Sequence, residues 1–139
     1  MTPYIAGATV LCCFDHRVRH ALTEFLDQQQ IRMPDMIVVA GGSKTLASPS
    51  SDSEREFIIE QIQLSLKLHG AKRIILINHS DCGAYGGLAA FQGNVQMEAQ
   101  HHANELQKAL TFVGENLPNV AVEAYFVDFE GIWKLVDGR

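Results

Sequence analysis

The sequence predicts an α/β fold, a mainly parallel β-sheet flanked by helices, and three observations carry that expectation. Four short runs, residues 8–14, 36–40, 73–78 and 120–127, are almost wholly apolar, as suits strands buried on both faces of a parallel sheet. The segments between them place apolar residues at helical spacing. Strand and helix therefore alternate, the order that right-handed βαβ crossovers produce. With 139 residues, 47% of them hydrophobic, the chain can bury one ordinary core, so a single domain over residues 1–139 is expected.

The first run, Ala-Thr-Val-Leu-Cys-Cys-Phe, stops at Asp15. Val18, Leu22, Phe25 and Leu26 then mark a helix over residues 18–30 that Pro34 closes off. The second run ends in Gly41-Gly42, where the backbone can turn in a way a side chain would forbid. Residues 43–52 hold Ser, Thr, Lys and Pro with few large apolar groups and read as an exposed, mobile loop. Ser53-x-x-Glu56 is predicted to cap the next helix, whose Ile58, Ile59, Ile62 and Leu66 precede a stop at Gly70. After the third run, Ala99, Ala103, Leu106, Leu110 and Val113 form one stripe of a helix ended by Leu117-Pro118-Asn119. The fourth run follows.

Composition excludes several functions. A net charge of −5 without any basic run argues against a nucleic-acid partner. The amino-terminal residues have neither a cationic region nor a long apolar one, and no stretch approaches the ~20 apolar residues of a membrane span, so a cytoplasmic protein is expected. Gly41-Gly42-Ser43-Lys44-Thr45 lacks the spacing of a phosphate loop. Cys12, Cys13 and Cys82 are too few, and odd in number, for a disulfide framework, which leaves reduced thiols or metal ligation.

Reactive residues gather at two strand ends. The first run leads into Cys13-Phe-Asp15-His-Arg17 and the third into His79-Ser-Asp-Cys82-Gly83. Ends of parallel strands line the crevice where α/β proteins bind ligands. If these two strands are neighbours, two thiolates and an imidazole meet, and Cys13, His79 and Cys82 form a three-ligand zinc set that leaves the fourth position open. Each residue also has a plainer reading: Cys13 as small core filler, His79 as a cap or core histidine, Asp15–Arg17 as a surface ion pair. Cys12 points to the opposite face of its strand from Cys13 and is expected to pack in the core. His16 and His20 read as solvated, and His102 shares the stripe of Ala99 and Leu106, which suggests partial burial and a structural role.

Cys13-x-Asp15-x-Arg17 followed by His79-x-x-Cys82-Gly83 resembles the paired zinc motifs of the β-class carbonic anhydrases. The likeness takes in Ala40-Gly41-Gly42 and extends to the segment Tyr125-Phe-Val-Asp-Phe-Glu-Gly131. The resemblance implies Zn²⁺ held by Cys13, His79 and Cys82, and hydration of CO₂ to bicarbonate by a zinc-bound hydroxide. Two thiolates cancel the charge of the ion, so such a site acidifies water less than three imidazoles would. Asp15 would orient the hydroxide, Arg17 would hold Asp15 by its fork of N–H donors, and an Asp15 freed from Arg17 could instead close the metal's fourth position. A homodimer or larger homo-oligomer is also implied. The pattern departs from the family at Val38 and Val39, where Arg-Asn is usual, and in the long 43–53 segment. Those departures leave room for a zinc hydrolase acting on carbonyl sulfide or carbon disulfide, or for a non-catalytic zinc-binding relative.

Overall fold

The computed structural model describes residues 3–131 and 133–136. In chain order its elements are β1 (Thr9–Cys12), α1 (Arg19–Gln28), β2 (Asp35–Val38), α2 (Lys44–Ala47), α3 (Asp52–His69), β3 (Arg73–His79), α4 (Val95–Asn116), β4 (Ala121–Val127) and β5 (Trp133–Val136). They build one five-stranded sheet in the order β2-β1-β3-β4-β5. The first four strands run parallel and β5 returns antiparallel to β4.

The sheet is covered on both faces, the reason its central strands lack polar alternation. Leu11, Ile74, Leu76, Ala124 and Phe126 face the layer of α2, α3 and α4, where Leu46, Ile62, Leu106 and Val113 are fully buried. Val10, Cys12, Ile75, Ile77 and Val127 face α1, which contributes Leu22, Phe25 and Leu26. Cys12 and Leu11 thus pack on opposite faces, as the two-residue strand period requires. Burial pushes the Cys12 thiol up to about 12, so it stays protonated as core filler.

Residues 43–52 are not simply an exposed loop: α2 lies there, with Ser43 and Leu46 at 0% exposure. Leu46 is a core residue, the Thr45 hydroxyl donates to the Gly42 carbonyl at 2.8 Å, and the Arg55 guanidinium caps the Leu46 carbonyl at 2.7 Å. One large apolar residue among polar ones sufficed to dock the segment, too sparse a signal for a window average to register. β2 is an edge strand whose burial alternates, leaving Met36 and Val38 exposed, so its apolar run is not evidence of two-sided burial. β5 went unread because Trp-Lys-Leu-Val is short and mixed; it is held by the Asp128–Gly131 turn and by Trp133 stacking on Phe25 at 4.2 Å.

The cap of α3 is also two residues earlier than Ser53-x-x-Glu56. The Ser51 hydroxyl accepts from the Glu54 N–H at 3.1 Å, while the Glu54 carboxylate accepts from the Ser50 N–H at 2.6 Å. The spacing Ser-x-x-Glu occurs twice in Ser51-Asp-Ser53-Glu54-Arg-Glu56, and only the first copy has extended backbone at its serine, φ −156°. Ser51→Ala is expected to cost about 1 kcal/mol in urea unfolding and Ser53→Ala much less; equal costs would contradict this assignment.

Candidate metal centre

β1 and β3 are hydrogen-bonded neighbours, so the two reactive strand ends are adjacent. Cys13 lies one residue past β1, His79 is the last residue of β3, and Cys82 follows a turn through Ser80 and Asp81. The two Sγ atoms and a His79 ring nitrogen all lie within 4.8 Å of one another, and the three residues are buried. This donor set can hold a metal ion.

His79 is oriented for that task. Its Nδ1 donates to the Ser80 carbonyl at 2.7 Å, which leaves Nε2 with the lone pair. That Nε2 is buried and has no hydrogen-bond partner in the protein. An orphaned buried nitrogen beside two thiols costs stability in a purely structural site and suits a ligand to a soft or borderline cation. Metal-binding histidines commonly donate their other nitrogen to a carbonyl in this way.

The thiols are poised as well. The Gly41 N–H, delivered by the turn after β2, donates to Cys13 Sγ at 3.4 Å. A hydrogen bond from Cys82 and another from the Gly41 amide draw the Cys13 thiol well below the usual thiol range, against the opposing effect of burial. Its partner Cys82 is pushed upward, first by the same contact with Cys13 and then by burial. For His79, burial favours the neutral ring, but the contacts with Cys13 and the Ser80 carbonyl and the charges of Cys13 and Asp15 outweigh it and raise its pKa. Metal binding needs deprotonated thiols and a neutral ring, so uptake of a cation here would release protons.

Asp15 and Arg17 stand at the rim. Arg17 grips the Asp15 carboxylate through Nη2 at 2.7 Å and Nε at 3.1 and 3.2 Å, and the Arg17 backbone N–H adds a bond of 2.9 Å. These bonds hold Asp15 down to about 2, so it is ionised throughout the neutral range. Asp15 Oδ2 is 3.9 Å from His79 Nε2. A cleft of about 550 Å³ opens here, its walls made of Ala40, Gly41, Gly83, Ala84, Gly86 and Gly87, with Phe14 at the edge. The walls are small and apolar, and the charged groups lining it are Asp15, Arg17 and Asp81.

Four residues that sequence reasoning passed over support the site. Glu98, 1% exposed on α4, accepts the Asp81 N–H at 2.7 Å and so fixes the turn between His79 and Cys82. Asp81 itself bonds Arg17. Tyr85 donates to the buried Glu105 at 2.9 Å, tying the loop after Cys82 to α4. Glu98, His102 and Glu105 are spaced four and three apart, so the apolar stripe of α4 continues into a polar buried one, a signal that was present in the sequence. His102 is fully buried rather than partly so. It accepts from the Asn78 side-chain N–H at 3.0 Å and takes no part in the Cys-His-Cys cluster.

Burial holds the His102 pKa down to about 4, with the His101 and His79 charges adding to it. The unfolded chain therefore binds a proton at His102 between about pH 6.5 and 4 that the folded chain rejects. Stability is full above about pH 6.5 and falls by up to about 3 kcal/mol on acidification to pH 4. Urea unfolding at stepped pH should show a shallower acid loss in His102→Gln than in the wild type; parallel curves would show that His102 does not titrate in this range.

The family described as "Putative carbonic anhydrase" matches residues 6–137. The chain belongs to that family. It is a divergent member of the β-carbonic anhydrases. An uncharacterised protein of Rickettsia bellii is 25% identical over 130 residues, which are 91% of this chain and 79% of that one. The carbonic anhydrase of Streptococcus mutans superposes with a TM-score of 0.66 at 16% identity, covering 99% of this chain and 86% of the other. A carbon disulfide hydrolase in its apo form superposes with a TM-score of 0.56 at 17% identity, covering 99% and 81%. These likenesses establish the β-carbonic anhydrase fold for the chain. Among the described residues no helix is long and apolar enough to cross a membrane.

Proposed function

We propose that this protein binds one Zn²⁺ through Cys13, His79 and Cys82 and reversibly hydrates CO₂ to bicarbonate, acting as a single domain with one site per chain. The observation that carries the reading is the unpartnered His79 Nε2, which sits beside two buried sulfurs and 3.9 Å from an ionised carboxylate. Zn²⁺ in such a site supplies Lewis acidity that makes water nucleophilic near neutral pH.

The remaining work falls to the chain. Asp15, kept ionised by Arg17, would accept a hydrogen bond at Oδ2 from the attacking water or hydroxide and so aim its lone pair at the substrate. Arg17 acts through Asp15 as a positioning residue. The Gly41 N–H and the Ser80 carbonyl hold Cys13 and His79 in their ligand orientations. The glycines and alanines of the cleft admit a small linear neutral molecule and offer it apolar contact.

Stopped-flow CO₂ hydration by zinc-loaded protein tests the proposal, and an undetectable rate at full zinc occupancy would sink it. A second reading is hydrolysis of carbon disulfide or carbonyl sulfide. It is favoured by the apolar cleft, by the exposed Val38 in place of the family's polar residue, and by the fold shared with a carbon disulfide hydrolase. Sulfide release from either gas, faster than CO₂ hydration, would select it. The non-catalytic alternative predicts zinc uptake without either activity.

We also propose a homodimer or larger homo-oligomer. An apolar groove of about 780 Å³ runs beside edge strand β2, lined in part by Phe14, Leu22, Met33, Met36 and Val38. Exposed apolar edge strands invite pairing with a second chain. Sedimentation as a monomer at micromolar concentration would count against this. Action in the reducing cytoplasm accords with three free cysteines.

A further inference from the structure

We infer that Asp81 is a positioning residue that keeps Asp15 off the metal by fastening Arg17 from the far side. The inference rests on the metal site proposed above. Arg17 is shared between two carboxylates: Nη2 and Nε face Asp15, while Nη1 donates to Asp81 Oδ2 at 3.0 Å and Nη2 to the Asp81 carbonyl at 3.1 Å. The Arg17 side chain is half exposed, and a single pair to so exposed a partner is weakly held. Two carboxylates and a carbonyl on one guanidinium give it a defined position.

Asp81 is a firm post because everything around it is fixed. Its Oδ1 accepts the Leu88 N–H at 2.7 Å, and its own N–H donates to the buried Glu98 at 2.7 Å. Its backbone is left-handed, φ 53°, an arrangement aspartate tolerates better than most residues. Gly87 makes room for it, since a Cβ there would lie 2.8 Å from Asp81 Oδ1. The post stands between the ligands His79 and Cys82, so the cluster and the Arg17 anchor move together.

The consequence concerns Asp15. Its Oδ2 lies 3.9 Å from His79 Nε2, the nitrogen that faces the two sulfurs, which puts it within a side-chain rotation of the ligand cluster. A carboxylate oxygen is an acceptable zinc ligand. Once Arg17 is loosened, Asp15 can leave it and take the fourth coordination position, closing the site to exogenous ligands.

Cobalt-loaded wild type, Asp81→Asn, Asp81→Ala and the double variant Asp15→Ala/Asp81→Asn test this, with azide titrated against the Co²⁺ ligand-field absorption. Asp81→Asn keeps an oxygen for the Leu88 N–H and removes the charge that holds Arg17. The expected result is azide binding weakened about tenfold or more in both single variants, because only the open fraction is competent, and restored in the double variant. Wild-type azide affinity in Asp81→Asn overturns the inference and leaves the metal site standing. Weakening that persists in the double variant, or loss of cobalt uptake in both single variants, overturns it by making Asp81 merely structural. A wild type that takes up no cobalt sinks this inference and the metal site together.

Discussion

Cys82→Ser is expected to strip the protein of zinc. Cys82 is 1% exposed and is one of the three candidate donors found among the described residues, each buried and within 4.8 Å of the others. A serine hydroxyl is a poor ligand when protonated, and its deprotonation is far harder than that of a thiol, so two donors would remain. Loss of a residue that merely orients a ligand costs roughly 10–100-fold in metal affinity, and loss of the ligand itself must exceed that. Competition against a chromophoric chelator measures it, with stopped-flow CO₂ hydration run alongside. Cys12→Ala is the control: Cys12 is as buried, but it packs against α1 on the sheet face and should leave zinc stoichiometry unchanged. Equal zinc retention by Cys82→Ser and wild type would overturn the ligand assignment.

Gly42→Ala should be strongly damaging to both stability and the site. Gly42 has φ +52°, and a Cβ there would meet the Ile77 carbonyl oxygen at 2.7 Å and the Cys12 and Cys13 backbone at 3.0 Å. All three contacts are main chain of β1, β3 or the turn that carries Cys13, so no side-chain rotation relieves them. Overpacking costs about 1–3 kcal/mol and a left-handed alanine about 1–2 kcal/mol more, which together shift the urea midpoint by on the order of 1 M or more. Relief of the clash must displace Cys13, so zinc affinity falls as well. Gly70→Ala separates the two contributions, because Gly70 also has positive φ, +62°, but a Cβ there meets nothing within 4 Å. If Gly42→Ala cost no more than Gly70→Ala, the crowding argument would fail.

The sequence reading succeeded where the physical signal is local. The parallel strands β1, β3 and β4 announce themselves as apolar runs because two-sided burial removes alternation. Helix α4 was legible from its stripe, although Asn94, which accepts the Gln96 and Met97 N–H groups at 3.0 Å, was not anticipated as its cap. The Cys13, His79 and Cys82 set was legible because those residue types rarely fall together at strand ends for packing reasons alone. Segment 43–52 failed because a single residue, Leu46, decides its docking. The α3 cap was misplaced because two overlapping copies of Ser-x-x-Glu are indistinguishable until the backbone at Ser51 is known.

By itself the sequence determined the α/β class, the buried faces of the central strands and the candidate donor set of Cys13, His79 and Cys82, since each depends on the chemistry and spacing of residues close in the chain. Tertiary structure alone decided that β1 lies beside β3, that β2 is an exposed edge, and that His79 Nδ1 is taken by the Ser80 carbonyl while Nε2 has no partner. It also decided that Arg17 reaches Asp81 across a separation of 64 residues and that Glu98 fixes the turn between His79 and Cys82. No local pattern encodes such pairings. They arise when the sheet closes and desolvated charges must find partners from whichever elements packing has brought near.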